Sequence, residues 1–175
     1  MCAPIELGCF TLADGRVVNF RPVTPDDEPL IAEAFRTASP RTLLHRFFIP
    51  LRRLDPSELR RLLNIDPQRQ FCFVGEMGQG TNRAIVCGAR YVRGAESDKA
   101  ELALTVHDRF QHQGLGRAMM ERLIARARAD DIRTLVAHVL SSNEPMLALI
   151  RAVAPRRRAM YHSGECEIEF DLDDN

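Results

Sequence analysis

The chain has 175 residues, of which 45% are apolar, and this is enough for one domain with a hydrophobic core. Its 24 basic and 24 acidic residues give a formal net charge of zero, which argues against a nucleic-acid partner bound by bulk charge. No apolar stretch approaches the roughly 20 residues that cross a bilayer, so no membrane-spanning helix is predicted. The N-terminus lacks the basic and apolar regions of a signal peptide, so no signal peptide is predicted.

The first third of the chain predicts a strand pair, or a turn and one strand, followed by three helices. Ala13-Asp14-Gly15 is typical of a turn, and Pro22 ends the strand after it. Thr24 precedes a proline and acidic residues, which is typical of a helix start. The aromatic pair Phe47-Phe48 is predicted to lie in the core, and Arg46 beside it is predicted to be exposed. The predicted elements are strands within 9–22 and helices over 24–37, 41–48 and 55–63.

Three extended segments follow and predict an antiparallel meander over 70–77, 83–93 and 99–107. The first two are joined by a glycine-rich run, Gly75-Glu76-Met77-Gly78-Gln79-Gly80. Because no helix follows this run, we interpret it as a hairpin connection rather than as a phosphate-binding loop.

A second glycine-containing run, Gln111-His112-Gln113-Gly114-Leu115-Gly116, leads directly into a helix predicted over 115–130. The first turn of a helix has N–H groups without partners and a partial positive charge, and glycine lets a phosphate approach the backbone. A strand, a glycine loop and a helix start in this order predict an anion site. The residues of the helix that recur at apolar spacing are Met119, Met120, Leu123, Ile124 and Ala127.

The last part of the chain predicts a strand over 133–139, a helix from Asn143 to about Val153, and a strand over 165–172. Because a helix connects them, the strand over 133–139 should lie parallel to the segment over 99–107. The predicted fold class is α/β of the α+β type, with a mixed, mostly antiparallel sheet flanked by helices. No linker or repeat interrupts the chain, so one domain over 1–175 is expected.

The five cysteines are odd in number and scattered, and the five histidines do not cluster at metal-ligand spacing. Cys72 and Cys87 lie in strand patterns, where buried thiols are common. These observations predict a reduced, cytoplasmic protein without a metal ion.

The run from Gln111 to Gly116 resembles the Gln/Arg-x-x-Gly-x-Gly/Ala signature of the GCN5-related N-acetyltransferase (GNAT) superfamily. Shorter matches extend the resemblance over about residues 10–155, to the acetyltransferase domain of bacterial Pat-type protein-lysine acetyltransferases. The resemblance implies a sheet with one parallel, splayed strand pair, and acetyl-CoA as the acyl donor. The shorter matches are Leu12 to Val18, Arg21 to Asp27, Ser39-Pro40, Arg46-Phe47-Phe48, Ala100 to Ala103 and Asn143 to Met146.

The resemblance also implies how acetyl-CoA is held. The strand before the glycine loop would bind the pantetheine arm and the acyl oxygen through its backbone, which places Leu104, Thr105 and Val106 against the thioester. The N–H group of Thr105 or of Val106 would serve as an oxyanion-type donor. Asn143 either meets the CoA arm or caps the helix that follows, and both roles are compatible. The residues implied to hold the pyrophosphate are Gln111, His112, Gln113, Gly114, Leu115, Gly116 and Arg117.

Glu101 is the residue that the resemblance implies as the general base. On a strand it shares a face with Ala103, Thr105 and His107. A lysine amine has a pKa of about 10.4, so a base must remove a proton at neutral pH. The alternative is that Glu101 is an ordinary solvent-facing strand residue, with His107 as the second candidate for the base.

The sequence departs from the family pattern after Asn143. Many members have a tyrosine in this helix that protonates the leaving thiolate, whereas Ile150 stands at the corresponding position and cannot donate a proton. The thiolate would leave unprotonated or through water, and Tyr161 is a further conceivable donor. The run Arg156-Arg157-Arg158 is interpreted as a solvated loop, with contact to the CoA 3′-phosphate or to an acidic substrate as the alternative.

We therefore predict an acetyl-CoA-dependent N-acetyltransferase that acts by direct transfer in a ternary complex, with a protein lysine as acceptor. Two alternatives stay open, namely acetylation of a small-molecule amine and a non-catalytic acyl-CoA-binding module that regulates a partner. The expected partners are acetyl-CoA and the acceptor amine, without nucleic acid or membrane. The sequence indicates no particular oligomeric state.

Overall fold

The computed structural model describes residues 7–51, 53–94 and 98–172. Its helices are α1 (Glu28–Thr37), α2 (Pro40–Phe47), α3 (Pro56–Leu63), α4 (Leu115–Ala129) and α5 (Glu144–Val153). Its strands are β1 (Cys9–Thr11), β2 (Val17–Pro22), β3 (Gln70–Met77), β4 (Ala84–Arg93), β5 (Lys99–Val106), β6 (Thr134–Leu140), β7 (Arg158–His162) and β8 (Glu165–Asp171).

The strands form one eight-stranded sheet in the spatial order β1-β2-β3-β4-β5-β6-β8-β7. The pair β5 and β6 is parallel, and the other neighbouring strands are antiparallel. Helix α4 lies between β5 and β6 in the chain, as the predicted crossover requires. The predicted hairpin is confirmed as well, because a short 3₁₀ turn, Gly80–Asn82, joins the antiparallel strands β3 and β4. The predicted fold class is therefore confirmed.

Different helices cover the two faces of the sheet. On one face, Ala100 and Leu102 of β5 belong to the same buried core as the apolar stripe of α4, which includes Met119 and Leu123. That stripe is buried as its spacing predicts. On the opposite face, side chains of α1, α2 and α3 meet β3, β4 and β5 around a pocket. The alternation of a strand places Glu101, next to Ala100, on this second face.

Two elements differ from the sequence prediction. Thr24 is an N-cap as predicted, but it caps a 3₁₀ turn, Pro25–Asp27, and helix α1 begins only after this turn, at Glu28. Strand β7 was not predicted at all, and it begins within the arginine run that we interpreted as a solvated loop. All of its residues are exposed, and its sequence does not alternate apolar and polar residues. The pattern that indicates a half-buried strand is therefore missing.

In the described ranges, no helix is both long and apolar enough to cross a membrane. The same residues contain no group of His, Cys, Asp or Glu side chains that could hold a metal ion. Cys9, Cys72, Cys87 and Cys166 are free thiols, and Cys2 lies outside the described residues.

Asp27 is a buried carboxylate that connects α1 to the sheet. It is 2% exposed and accepts two hydrogen bonds from the guanidinium of Arg21, at 2.6 and 2.8 Å, and one from the backbone N–H of Thr24, at 2.8 Å. Burial alone would raise the pKa of Asp27, but the hydrogen bonds from Arg21 and Thr24 outweigh it and leave this pKa below its ordinary value. Nε of Arg21 also donates a hydrogen bond to Oε2 of Glu76 at 2.8 Å, so Arg21 binds both carboxylates.

We expect the substitution Asp27→Ala to lower the free energy of unfolding by about 3 kcal/mol, because it removes one partner of a buried ion pair. The lowered pKa of Asp27 means that its contribution is present above the pKa of the unfolded chain, near 4, and is lost as the pH falls through the folded pKa. Urea unfolding at neutral and at acidic pH measures both effects. Asp26→Ala is the control, because Asp26 is exposed; an equal loss in both variants would contradict the assignment.

Candidate active site

The candidate site begins where β5 and β6 separate. The two strands pair over 99–101 of β5 and 134–136 of β6, and the described residues show no further pairing between them. Beyond this point β5 continues along β4 to Val106, while β6 continues along β8 to Leu140. The strands therefore enclose a wedge-shaped gap, one side of which is the edge of β5 over 102–106.

The backbone of β5 directs hydrogen-bonding groups into this gap. Consecutive residues of an antiparallel strand point their N–H groups to opposite edges. The N–H group of His107 donates to the carbonyl oxygen of Val86, just inside β4, at 2.9 Å. Alternation from His107 directs the N–H group of Thr105 toward β4, and those of Leu104 and Val106 toward the gap. Of the two oxyanion donors that the resemblance implies, this geometry favours Val106.

Two residues with left-handed backbone shape the loop that leads into α4. His112 has a φ of +59° and Gly114 has a φ of +82°. Gly114 is the N-cap of α4 and has no side chain that could cap the N–H groups of the first turn. A Cβ atom at this position would lie 3.3 Å from Cζ of Phe10. The loop thus offers backbone donors and the positive end of a helix dipole, an arrangement that fits a pyrophosphate.

The side chains of Gln111 and Gln113 stabilise the loop that contains them. Nε2 of Gln111 donates to the carbonyl oxygen of Val106 at 2.9 Å and to Oγ1 of Thr42 at 3.2 Å. Nε2 of Gln113 donates to the carbonyl oxygen of Arg109 at 3.1 Å. These side chains fix the shape of the loop, so their part in binding would be to position the backbone.

The first residues of α4 have different environments. The side chain of Leu115 is 1% exposed and belongs to the core, so only its backbone could reach a ligand. Gly116 faces α5, and a Cβ there would make an ordinary van der Waals contact of 3.5 Å with Cδ2 of Leu149. Arg117 is exposed and forms a surface ion pair with Glu121, one turn further along α4, at 2.9 Å.

The start of α5 and the following hairpin supply no proton donor at the positions considered. Oδ1 of Asn143 accepts a hydrogen bond from the backbone N–H of Met146 at 3.3 Å, so Asn143 does cap α5. Ile150 is fully buried and has no protic group. Tyr161 is 65% exposed on β7, and β6 and β8 separate it from β5. None of these three side chains could therefore protonate a thiolate that leaves from the gap.

Glu101 is the last residue of β5 that pairs with β6, and its side chain is exposed. It makes no hydrogen bond or ion pair with the described residues, so its carboxylate is available to accept a proton. His107 is more constrained, because its Nε2 lies 3.1 Å from Oγ1 of Thr37 and its Nδ1 accepts from the N–H of Arg109 at 3.4 Å. The arrangement favours Glu101 over His107 as the base.

Asp108 connects α2 to the loop and was given no role by the sequence. Its carboxylate accepts from the N–H and Oγ of Ser39, at 2.8 and 2.6 Å, and from Oγ1 of Thr42 at 2.8 Å. Burial would raise the pKa of Asp108, but these hydrogen bonds outweigh it and leave the pKa below its ordinary value. Since Ser39 and Asp108 are 69 residues apart, no local pattern could indicate the contact.

A pocket of about 100 Å³ lies on the same face of the sheet as Glu101, between β3–β5 and the three helices α1–α3. Side chains of Ala103, Thr105 and His107 form part of its wall, as their shared strand face predicts. The prediction of an exposed Arg46 is wrong, because this side chain is partly buried and lines the pocket.

Comparison with known proteins agrees with this geometry. Residues 33–153 match the acetyltransferase (GNAT) family. The chain is 29% identical to acetyltransferase PA5475 of Pseudomonas aeruginosa, over 82% of the chain and 77% of that protein. It is 32% identical to acetyltransferase Pat of Mycolicibacterium smegmatis, over 75% of the chain but only 39% of that longer protein. The GNAT domain of S. lividans PAT superposes with a TM-score of 0.84 at 26% identity, covering 97% of this chain and 99% of that one.

The family match and the named acetyltransferase relatives identify the protein as an acyltransferase that uses acetyl-CoA as its donor. The chain belongs to the acetyltransferase (GNAT) family.

Proposed function

We propose that this protein transfers an acetyl group from acetyl-CoA directly to the side-chain amine of a protein lysine. The donor would lie with its pantetheine arm along the free edge of β5 and with its pyrophosphate at the loop around Gly114. The acceptor would approach from the face that carries Glu101. The similarity to the GNAT domain of S. lividans PAT supports a protein acceptor.

The chemistry needs one base and one oxyanion donor from the chain. The carboxylate of Glu101 takes a proton from the lysine ammonium, and the free amine attacks the thioester carbon. The N–H group of Val106 stabilises the negative charge on the acyl oxygen. The C–N bond forms and the C–S bond breaks, and the nitrogen of the intermediate releases its second proton to water. The thiolate, whose ordinary pKa is about 8.5, leaves and takes up a proton from solvent.

The exposure of Glu101 is the observation that carries the proposal of a macromolecular acceptor. Its carboxylate stands at the edge of the site rather than among the lining residues of the pocket, and it forms no hydrogen bond or ion pair with the described residues. A lysine on a folded protein can present only the end of its side chain, so it needs a base that it can reach from solvent.

We expect a lysine-containing protein or peptide to be acetylated with a kcat/KM at least about tenfold higher than that of a polyamine or a free amino acid. Mass spectrometry of mixtures in which these acceptors compete for the same acetyl-CoA measures this ratio. The matched control is the same peptide with the lysine replaced by arginine, which should remain unmodified. A small amine that outcompetes every peptide would contradict the protein acceptor and favour the small-molecule alternative.

We further propose that the protein works in the reducing environment of the cytoplasm. The free thiols of Cys9, Cys72, Cys87 and Cys166 support this location. The wide spacing of the cysteines in the sequence supports it as well.

A further inference from the structure

The pocket beside Glu101 combines an apolar wall with a local excess of positive charge. Its wall consists mainly of aliphatic and aromatic side chains of α1, α3 and the strands, such as Ile31, Phe35 and Val74. The charged side chains that line it are Arg46 from α2 and Arg90 from β4, and no Asp or Glu occurs among the described lining residues. A volume of about 100 Å³ accommodates a short organic chain, since one water molecule occupies roughly 30 Å³ of liquid.

Several polar atoms in this pocket lack a hydrogen-bond partner. Nε of Arg90 and Oγ1 of Thr105 are buried and unpartnered within the described part of the chain. The guanidinium of Arg46 makes no hydrogen bond or ion pair with the described residues, and it lies 5.1 Å from the ring centre of Phe47. Buried polar groups are normally satisfied, so unpartnered ones in a single pocket indicate a ligand that supplies the missing acceptors.

The charge around Arg46 is unbalanced. Burial lowers the pKa of Arg46, and the neighbouring charge of Arg90 lowers it further. Glu101 acts on Arg46 electrostatically in the opposite direction but does not form an ion pair with it. Two further acids nearby are held by other groups, Asp27 by Arg21 and Asp108 by Ser39 and Thr42. An anion between Arg46 and Arg90 would remove their mutual repulsion.

We propose that this pocket binds a carboxylate carried on a short apolar stem, with Arg46 and Arg90 as the groups that hold the carboxylate. The guanidinium of Arg46 presents parallel N–H donors that match the two oxygens of a carboxylate. Arg90 adds its unpartnered Nε–H, since its terminal nitrogens already donate to the carbonyl oxygen of Leu62 and to Oε1 of Gln70. The aliphatic wall accepts the stem, and Oγ1 of Thr105 supplies a further donor.

The position of the pocket gives two sources for such a carboxylate. Ala103 and Thr105 line it and belong to the strand that we propose to hold the thioester, so the occupant is continuous with the reacting group. The carboxylate is either the far end of a dicarboxylic acyl group, as in succinyl-CoA, or an acidic group on the acceptor. This assignment of sources rests on the proposed function, whereas binding of a carboxylate to the pocket does not.

Calorimetry on the whole chain tests the binding step with glutarate and with pentanamide, which has the same number of carbon atoms but no charge. We expect glutarate to bind and pentanamide to bind at least about tenfold more weakly. Arg46→Met should remove this difference, Arg46→Lys should restore part of it, and Arg60→Met, on the exposed side of α3, should leave it unchanged. Equal binding of both compounds, or no binding of either, would overturn the proposal.

Acyl transfer then distinguishes the two sources. If the acyl group carries the carboxylate, the wild type should prefer succinyl-CoA over butyryl-CoA, and both Arg46→Met and Arg90→Met should reduce that ratio by about 100-fold. If the acceptor carries the carboxylate, the wild type should prefer an amine with a carboxylate over the methyl ester of that amine, with acetyl-CoA as donor. Both variants should reduce this preference by about 100-fold. Ratios that neither variant changes would overturn the proposal. Glutarate binding without any acyl transfer would instead show that the proposed function fails while the pocket assignment holds.

Discussion

Replacing Glu101 with glutamine is expected to lower kcat by about 10²- to 10⁴-fold, the range that a general base contributes. Glutamine has nearly the same shape as glutamate but cannot accept a proton at neutral pH. The affinity for acetyl-CoA should stay unchanged, because the proposed donor contacts involve the backbone of β5 and the loop at Gly114. Steady-state kinetics with a lysine peptide, together with calorimetry for acetyl-CoA, measures both quantities.

The pH dependence of Glu101→Gln separates a lost base from a disturbed site. Without the carboxylate, the reaction depends on the small fraction of lysine that is already neutral, and this fraction rises about tenfold per pH unit below a pKa near 10.4. The rate of the variant should therefore climb steeply with pH, while that of the wild type should level off. Glu165→Gln, at an exposed strand position on β8, serves as the matched control. Full activity of Glu101→Gln would remove Glu101 from the mechanism.

Replacing Gly114 with glutamate is expected to weaken acetyl-CoA binding by at least about 100-fold, which corresponds to about 2.7 kcal/mol. The new side chain begins at a Cβ atom 3.3 Å from Phe10 and brings a negative charge to the point where we place the pyrophosphate. Calorimetry with acetyl-CoA measures the change.

The left-handed backbone at Gly114 makes a control for folding necessary. Gly164 has a similar φ of +86°, and a Cβ there would have nothing within 4 Å, so Gly164→Glu adds the same charge and backbone strain away from the loop. Both variants should remain folded in thermal unfolding, with the larger loss of stability in Gly114→Glu because of the contact with Phe10, but only Gly114→Glu should lose binding. Equal binding by both variants would show that the loop is a structural turn.

Much of the fold was predictable because its elements have strong local patterns. The apolar stripe of α4 and the extended segments of β3, β4 and β5 were visible in the sequence, and the connection through α4 implied the parallel step to β6. Strand β7 was not predictable in this way, because both of its faces are exposed and its pairing depends on β8 rather than on its own sequence.

The candidate site likewise has residues that the sequence predicted and residues that only the folded chain brings together. Glu101 and the glycine loop could be named because short contiguous runs carry them and because they resemble a known family. Arg46, Arg90 and Thr105 come from α2, β4 and β5, and only the folded chain brings them into one pocket. The wrong prediction for Arg46 has the same cause, since an arginine beside two phenylalanines gives no sign of which way it will point.

If the donor binds in the gap as proposed, the separation of β5 from β6 makes the stability of the protein depend on the concentration of acyl-CoA. The inner edge of β5 lacks a neighbouring strand over 102–106 in the described structure, so the amides of Leu104 and Val106, which point into the gap, are open to exchange with water. A donor arm in that gap would take the place of a strand, and it would bind the native chain but not the unfolded chain. At a donor concentration of about 100 times Kd this adds roughly 2.7 kcal/mol to the free energy of unfolding. A cell depleted of acyl-CoA would thus hold a less stable and more rapidly degraded form of the protein.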